Sequence, residues 1–484
     1  MATLSPVLDP EQPTGLLLEG GFEQPNEDLV VENPYTGEPI ARVAAGGEAE
    51  VARAVAAAAR HLPPPPAAER AAVLDRAAAL VSERAESLAR TIAAEAGKPL
   101  AQARVEVARC RDTLAFSAAT ARTLAGEVVP MDASAAGRGK LGVVLREPVG
   151  VVAAIAPFNF PLNLVAHKVG PAIAAGCPVV LKPASATPLS GLALAGILLE
   201  SGLAPGYLTV VVGSGGTVGN ALVDHPDVAL VSFTGSSDVG WEIRRRAPRK
   251  QVALELGNAT PVIVEADADL EHAADRLAAS GYTHAGQSCI SVQRVYVQRR
   301  VHDRFLDLFR RRVEALVVGD PLEERTDVGP VIDRASRERI LEWLAEAGAR
   351  GAEMVCGGRV EGGLLQPTIV AGMTPDMRIS CREVFGPVVG VASYEDIDEA
   401  IELANSTPFG LQAGIFTSRV DRALAWARRL HFGGVVVNET PTFRADQQPY
   451  GGVKDSGNTR EGPAYAVRAM TQEKLVVVEL PPNG

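Results

Sequence analysis

From Leu141 onward, short runs of β-branched residues alternate with stretches of helical periodicity. VGVVAAIAP is followed by NLVAHKVGPAIAAG, CPVVLKPA and an Ala/Leu-rich stretch, and then by LTVVVG, VALVSFTG and QVALELG, each separated from the next by a helical segment. Four successive strand–helix–strand units predict a parallel sheet joined by right-handed crossovers. The sequence therefore predicts a doubly wound α/β domain, the architecture typical of nucleotide binding.

A second α/β series follows, from PVIVEAD through VQRVYVQRR and PTIVAG to GVVVN, and it predicts a second large lobe. Residues 46–124 are Ala-rich with breaks at 61–66 and 97–99, which predicts two or three long helices. Residues 128–148 and the C-terminal KLVVVEL are strand-like without a helical partner. Strands of this kind expose edges that pair with another chain.

Composition narrows the possible partners and compartment. The 484 residues carry 47 basic and 58 acidic side chains, and the net charge of −11 repels phosphate backbones and argues against nucleic-acid binding. An odd number of cysteines, five, does not form a disulfide framework and suits a reducing cytoplasm. The longest apolar stretches fall short of the ~20 residues that a membrane-spanning helix needs.

Two further patterns are not found in the sequence. The N-terminus, MATLSPVLDPEQP, lacks the basic and apolar regions of a secretory signal, so we expect a cytoplasmic protein without a membrane partner. The seven histidines show no HExxH spacing and no CxxC occurs, so no metal site is predicted.

A glycine-containing turn, FTGSSDVG, stands between a predicted strand and a helix. Gly235 and Gly240 occupy the outer positions of a GxGxxG-like pattern, with Ser237 in place of the middle glycine. Such a turn presents the free N–H groups of a helix N-terminus to a phosphate. A purely structural turn is the alternative.

Two polar residues follow buried strands. Asn159 lies in the stiff segment PFNFP, where its amide would either cap the next helix or donate to a developing oxyanion. Lys182 ends the strand PVVL at the carboxyl edge, where ligands bind in open α/β sheets. A solvated lysine is the alternative there.

Glu255 in LELGN and Cys289 in GQSCIS are candidates for covalent catalysis. Small polar neighbours favour an accessible Cys289, whereas Cys177 in AAGCPVV has the apolar surroundings of a structural cysteine. A nucleophilic thiol and a carboxylate base between two α/β lobes would suit covalent chemistry. Taken singly, each residue also fits a structural role.

Together these segments resemble the aldehyde dehydrogenase superfamily over nearly the whole chain. Eight motifs occur in the order usual for that family: ENPYTGEPIARV, PFNFP, KPASATP, FTGSSDVG, LELGN, GQSCIS, EVFGPV and PYGGVKDSG. The interval between Glu255 and Cys289 is also the one that the family shows. GQSCISVQR and FRADQQPYGG are most similar to the branch of lactaldehyde and non-phosphorylating glyceraldehyde-3-phosphate dehydrogenases.

The resemblance implies a domain organisation and an assembly. It implies a Rossmann-like cofactor-binding domain, a catalytic α/β domain and a β-strand oligomerisation arm that pairs subunits into a homodimer or homotetramer. The implied boundaries are 1–127 and 148–255 for the cofactor-binding domain, 256–469 for the catalytic domain, and 128–147 with 470–484 for the arm.

The resemblance also implies a reaction, the oxidation of an aldehyde to a carboxylic acid with NAD or NADP. Cys289 would attack the aldehyde to form a thiohemiacetal, whose oxyanion Asn159 and the Cys289 backbone N–H would hold. Hydride transfer would leave a thioester, and Glu255 would activate the water that hydrolyses it. Lys168 would assist proton movement.

For the cofactor, the resemblance implies that Lys182 contacts the adenosine ribose and that Gly235 and Ser236 contact the pyrophosphate. Glu383 and Phe385 would lie on the nicotinamide side. The complete set of implied cofactor-binding residues is Pro157, Lys182, Ser185, Thr234, Gly235, Ser236, Gly240, Leu256, Glu383 and Phe385.

Ser185, Asn258 and Ala259 depart from the commonest pattern, and Arg444 stands in the segment FRADQQPYGG that resembles the branch named above. Ser185 replaces the Glu with which many NAD-preferring members bind the ribose, so use of NADP, alone or together with NAD, is expected. Asn258 and Ala259 alter the loop beside Glu255. Arg444 would either meet an anionic substrate group or form an exposed salt bridge.

Two other functions are compatible with these motifs. A CoA-acylating relative would transfer the thioester to a thiol, but such relatives generally lack the Glu255 base. A catalytically retired structural homologue is the other alternative, and the presence of Cys289, Glu255 and Asn159 argues against it.

Overall fold

A computed structural model describes residues 5–25 and 27–481. Residues 1–4 and 26, within the predicted cofactor-binding domain, and residues 482–484, at the end of the predicted arm, lie outside the described residues.

The described chain contains both helices and strands throughout. The strands are β1 (Leu16–Leu18), β2 (Gly21–Glu23), β3 (Asp28–Glu32), β4 (Pro39–Ala44), β5 (Glu127–Val129), β6 (Lys140–Pro148), β7 (Val151–Ile155), β8 (Val179–Lys182), β9 (Leu208–Val210), β10 (Val228–Gly235), β11 (Gln251–Leu256), β12 (Thr260–Val264), β13 (Val292–Gln298), β14 (Glu353–Cys356), β15 (Val360–Glu361), β16 (Leu364–Leu365), β17 (Thr368–Ala371), β18 (Val388–Tyr394), β19 (Gln412–Phe416), β20 (Gly434–Val437) and β21 (Thr471–Glu479). The helices are α1 (Glu48–Ala59), α2 (Ala67–Glu83), α3 (Ala85–Ala96), α4 (Leu100–Thr123), α5 (Asn163–Ala175), α6 (Leu189–Glu200), α7 (Asn220–Asp224), α8 (Ser237–Arg246), α9 (Leu270–Tyr282), α10 (His302–Glu314), α11 (Arg334–Ala349), α12 (Arg378–Cys381), α13 (Ile397–Asn405), α14 (Val420–Ala427) and α15 (Pro463–Ala469).

The first sheet has seven strands in the order β11-β10-β7-β8-β9-β1-β2. Strands β7 to β11 pair in parallel, which confirms the parallel sheet predicted from the alternating runs. All five residues of β7 are buried, as expected for a strand covered by helices on both faces. The antiparallel edge strands β1 and β2 come from the N-terminal segment and were not predicted.

Four helices, α1 to α4, fill the Ala-rich region in which two or three were predicted. The predicted breaks at 61–66 and 97–99 are confirmed by the ends of α1 and α3 and the starts of α2 and α4. The additional break falls at Arg84, which alone separates α2 from α3. Neither Gly nor Pro marks that position, so the sequence carries no signal for it.

The second sheet has the order β14-β17-β18-β13-β12-β19-β20 and its own hydrophobic core. Its strands pair in parallel except for β14, which is antiparallel to β17. The second α/β lobe predicted from the sequence is therefore present.

A third sheet, β21-β6-β5, is antiparallel and joins the two segments predicted to form an arm. Thr471 pairs with Pro148 at one end of β21 and Glu479 with Lys140 at the other. The domain boundaries stay predictions. Val467, predicted within the catalytic domain (256–469), and Met470, predicted within the arm (470–484), both pack into the core of the first sheet.

Within residues 5–25 and 27–481, no helix is both long enough and apolar enough to cross a membrane.

Candidate active site

A cleft of about 1420 Å³ opens at the carboxyl ends of β7, β8 and β10 and is closed from the other side by residues of the second lobe. Ten of the predicted site residues line it: Pro157, Asn159, Lys182, Ser185, Thr234, Gly235, Ser236, Cys289, Glu383 and Phe385. The other five, Glu255, Lys168, Gly240, Leu256 and Arg444, are not in its lining.

At one end of the cleft, β10 runs directly into α8 through Ser236, the residue that precedes the helix. The N-terminus of this ten-residue helix therefore faces the cleft, as phosphate binding requires. A Cβ atom on Gly240 would lie 2.4 Å from Leu256 Cδ2. Gly240 and Leu256 thus bring α8 close to β11 by packing against each other, which is a structural contribution to the site.

Lys182 and Ser185 lie together beside the same end of the cleft. The Lys182 side chain is buried, not solvated, and burial lowers its pKa to about 8. Its Nζ donates to the carbonyl of Pro183 at 3.2 Å, while Ser185 Oγ donates to the carbonyl of Gly213 at 2.7 Å. Next to them, a Cβ on Gly215 would meet no atom within 4 Å, so the backbone there is open to a ligand.

Aromatic and acidic side chains line the opposite end. Phe158 and Phe385 meet edge to face with ring centroids 5.7 Å apart. Phe385 has a left-handed backbone (φ 50°), which is rare for a residue with a side chain. Glu383 accepts a hydrogen bond from the Asn258 N–H at 3.0 Å, and burial raises the pKa of its carboxyl to about 7.

These features fit a dinucleotide. The cleft joins a helix N-terminus, a buried lysine and an open glycine backbone at one end to an aromatic pair at the other. A pyrophosphate and a planar ring are the groups that such ends accommodate.

The loop that carries Cys289 is held by Gln287. The buried Gln287 side chain donates to the carbonyl of His284 at 3.1 Å and accepts from the Ile332 N–H at 2.7 Å. The Gln287 carbonyl accepts from Asn159 Nδ2 at 2.9 Å, so the amide of Asn159 points toward the loop. The capping alternative for Asn159 is wrong, because α5 begins at Asn163 and Leu162 precedes it as the cap.

Cys289 is half-buried, and its Sγ lies 2.9 Å from the hydroxyl of Tyr450. Burial raises the pKa of the thiol to about 12, against a smaller lowering by the Tyr450 hydrogen bond. The thiol is therefore protonated at neutral pH, and a nucleophilic sulfur at this position needs a base.

Glu255, in β11, is buried behind the cleft. Neither of its carboxylate oxygens has a hydrogen-bond partner among the described residues. Burial raises the pKa of Glu255 well above its usual range, and the nearby Glu461 carboxylate raises it further. A carboxylate with free oxygens and a raised pKa is a stronger base than an ordinary one, which suits it to take a proton from water.

Lys168 and Arg444 share the carboxylate of Glu461. Lys168 Nζ donates to Thr234 Oγ1 at 2.7 Å and lies 3.8 Å from Glu461, and Arg444 Nη2 donates to Glu461 at 2.8 Å. The Arg444 side chain is only 5% exposed, so the prediction of an exposed salt bridge is wrong. Its guanidinium lies 3.8 Å from the centre of the Tyr450 ring.

No sequence pattern predicted Tyr450, Glu461 or Phe158 as site residues. Tyr450 and Phe158 stand inside quoted motifs, PYGGVKDSG and PFNFP, but no periodicity indicates that they face the cleft or the thiol. Glu461 lies in a loop, where spacing gives no orientation.

No group of three or more His, Cys, Asp and Glu side chains that could hold a metal ion occurs among the residues for which the structure gives positions.

Comparisons with known proteins assign the family. The sequence profile of the Aldehyde dehydrogenase family matches residues 22–476. The chain is 43% identical over 467 residues to 3-sulfolactaldehyde dehydrogenase of Priestia aryabhattai, covering 96% of this chain and 98% of that one. It is 38% identical to lactaldehyde dehydrogenase of Methanococcus vannielii, over 93% of this chain and 97% of that one.

A solved structure agrees with this assignment. Glyceraldehyde-3-phosphate dehydrogenase GapN of Methanocaldococcus jannaschii, complexed with NADP, superimposes with a TM-score of 0.90 at 38% identity, covering 94% of this chain and all of that one. The protein is an oxidoreductase of the doubly wound α/β class, and it belongs to the aldehyde dehydrogenase family. It oxidises an aldehyde to a carboxylic acid with NAD(P), and the predicted branch is confirmed by these relatives.

Proposed function

We propose that Cys289 is the nucleophile and Asn159 an oxyanion donor of this reaction. The half-buried sulfur lies in the cleft, and Asn159 Nδ2 is fixed beside the same loop by its bond to the Gln287 carbonyl. Attack forms an S–C bond and moves negative charge to the carbonyl oxygen, which the Asn159 amide and the Cys289 backbone N–H stabilise.

Glu255 is proposed as the general base, with Lys168 as an auxiliary. NAD(P), held by Lys182 and the N-terminus of α8, would supply the hydride acceptor, and oxidation of the thiohemiacetal would leave a thioester on Cys289. Glu255 then takes a proton from water as the water attacks that thioester. The free oxygens and raised pKa of Glu255 support this role. Lys168, bonded to Thr234, balances the charge of Glu461 nearby.

We further propose that the substrate is a three-carbon 2-hydroxyaldehyde with an anionic group on its third carbon. The names of the three relatives share the 2-hydroxyaldehyde, and two of them include a sulfonate or a phosphate. The anionic group is inferred from Arg444, because its buried Nε has no hydrogen-bond partner among the described residues. Arg444 contacts the ring of Tyr450, and Tyr450 contacts the thiol.

Arg444→Gln tests this substrate class. We expect kcat/KM for glyceraldehyde 3-phosphate to fall roughly 10- to 100-fold, because a charge-assisted hydrogen bond is lost. Oxidation of the uncharged lactaldehyde should fall by roughly tenfold less, because it loses only the contact of Arg444 with the Tyr450 ring. NADH or NADPH formation at 340 nm measures both. Arg104→Gln, which removes an exposed arginine paired with Glu86 and Glu324, is the matched control. Equal losses for the two aldehydes would contradict an anion-binding Arg444.

NADP is proposed as a cofactor at least as good as NAD. A 2′-phosphate bound at this end of the cleft would lie near the hydroxyl of Ser185 and the ammonium group of Lys182. Ser185 Oγ donates to the Gly213 carbonyl in this structure, so its single proton must turn from that carbonyl to donate to the phosphate.

Ser185→Glu should select against NADP. A carboxylate at this position repels the 2′-phosphate and bonds the 2′-hydroxyl of NAD, so the NADP/NAD ratio of kcat/KM should fall by about one to two orders of magnitude. Steady-state kinetics with both cofactors measure the ratio. Ser82→Glu on the exposed face of α2 should leave it unchanged. If the wild type rejects NADP and the Ser185→Glu ratio equals the wild-type ratio, the loop at 213–216 sets the preference instead.

For the assembly and the compartment, we propose a homodimer or homotetramer in a reducing cytoplasm. On β21, Leu475, Val476 and Val477 are 54%, 39% and 46% exposed, and an apolar surface of this kind needs a covering partner. Five cysteines without a disulfide support the reducing compartment.

A further inference from the structure

The hydroxyl of Tyr450 reaches the sulfur of Cys289 from an apolar wall. Tyr450 is 3% exposed and packs with Ile290 and Leu411 in a small hydrophobic cluster that Cys289 also contacts. Among the described residues, the hydroxyl has one hydrogen-bond partner, the Cys289 sulfur at 2.9 Å. A buried tyrosine hydroxyl normally donates a hydrogen bond, and here the acceptor within reach is the sulfur.

Two features fix the tyrosine in place. Its backbone pairs with Glu461 through hydrogen bonds in both directions, at 3.2 Å and 2.6 Å. The Arg444 guanidinium lies against the ring at 3.8 Å from its centre, and Glu461 holds that guanidinium. A cation on the face of the ring draws electron density from it, which makes the hydroxyl a stronger donor.

We propose that Tyr450 is a catalytic residue, whose hydroxyl donates a hydrogen bond to the Cys289 sulfur and stabilises negative charge there. This inference rests on the proposed role of Cys289 as the nucleophile. Tyr450 keeps its own proton throughout. The S–H bond breaks as the thiol proton passes to a water molecule in the cleft, and the hydroxyl stabilises the thiolate that remains.

The same hydrogen bond acts in the second half of the reaction. Water forms a C–O bond to the thioester carbon and gives a proton to Glu255. The C–S bond then breaks and its electron pair stays on the sulfur. The hydrogen bond from the Tyr450 hydroxyl stabilises the negative charge that develops there. Tyr450 therefore assists both activation of the thiol and its departure as a leaving group.

Tyr450→Phe tests the proposal, because it keeps the ring and its contact with Arg444 and removes only the oxygen. Alkylation of Cys289 by iodoacetamide, followed by mass spectrometry of the Cys289 peptide over a range of pH, reports the thiolate. Because the thiol pKa lies at about 12, alkylation between pH 7 and 10 is proportional to the small thiolate fraction, and its rate should fall about 10- to 100-fold at each pH. Decay of the acyl-enzyme in a single turnover should slow as well.

Tyr465→Phe, at a 42%-exposed tyrosine in α15, is the matched control and should retain the wild-type profile. Thermal unfolding shows whether Tyr450→Phe is folded. If it is not, Arg444→Lys, which retains the charge but loses the planar stacking, should produce a smaller fall of the same alkylation rate. An unchanged alkylation profile in a folded Tyr450→Phe, even with a lower kcat, would overturn the proposal. Failure of wild-type Cys289 to react, or alkylation without loss of activity, would instead refute the role of Cys289 itself.

Discussion

Replacing Cys289 by alanine should abolish aldehyde oxidation, by at least about 10⁴-fold in kcat, while the cofactor still binds. Removal of the nucleophile leaves no atom to form the covalent intermediate, and losses of this size are seen when other enzymes lose theirs. Lys182 Nζ bonds the Pro183 carbonyl whereas the Cys289 sulfur bonds Tyr450, so removal of the sulfur leaves the cofactor-binding contacts in place. Activity at 340 nm and titration of NADPH fluorescence measure the two properties separately.

The other four cysteines provide the controls. Cys356 and Cys381 are half-buried and outside the cleft, so their alanine variants should retain most activity. Cys110 and Cys177 are fully buried, and their replacement should lower stability through the cavity that remains, with catalysis largely intact. Full activity of Cys289→Ala would refute the covalent mechanism.

The architecture of both lobes could be predicted because it depends on local patterns. In the sequence, β7 and β8 are short runs rich in β-branched residues, which predict buried strands. Because crossovers between parallel strands are right-handed, few sheet topologies are then possible. The position of residues at strand ends, such as Lys182, could also be predicted, because parallel strands end at one edge of a sheet. The antiparallel β1 and β2 could not be predicted, since three-residue strands carry too little periodicity.

The polar cluster behind the cleft could not be predicted from spacing. Tyr450 and Glu461 lie in a segment without regular helices or strands, and their mutual pairing depends on its folded path. The burial of Arg444 is likewise a tertiary property, because its partners Glu461 and His167 lie 17 and 277 positions away in sequence. Sequence patterns report periodicity within an element, not which side chains loops bring together.

Glu255→Gln should separate the two halves of the reaction. The variant keeps the size of the side chain but cannot accept a proton, so deacylation should stall after one turnover of hydride transfer. A pre-steady-state burst of NAD(P)H, close to one per active site, should precede a steady-state rate lowered by roughly 10²- to 10⁴-fold. Mass spectrometry should find the thioester on Cys289. Glu324→Gln, at an exposed carboxylate, should behave as the wild type.

The pH dependence of kcat in the wild type should follow the ionisation of Glu255. Burial raises the pKa of Glu255 and the Glu461 charge raises it further, so the ionised base is lost as pH falls through that raised pKa. Deacylation should therefore slow on the acid side, acyl-enzyme should accumulate there, and kcat should rise with pH until Glu255 is fully ionised. In Glu255→Gln this limb should disappear. If the burst disappears as well, Glu255 also prepares the Cys289 thiol for attack, and the assignment of Glu255 to deacylation alone is wrong.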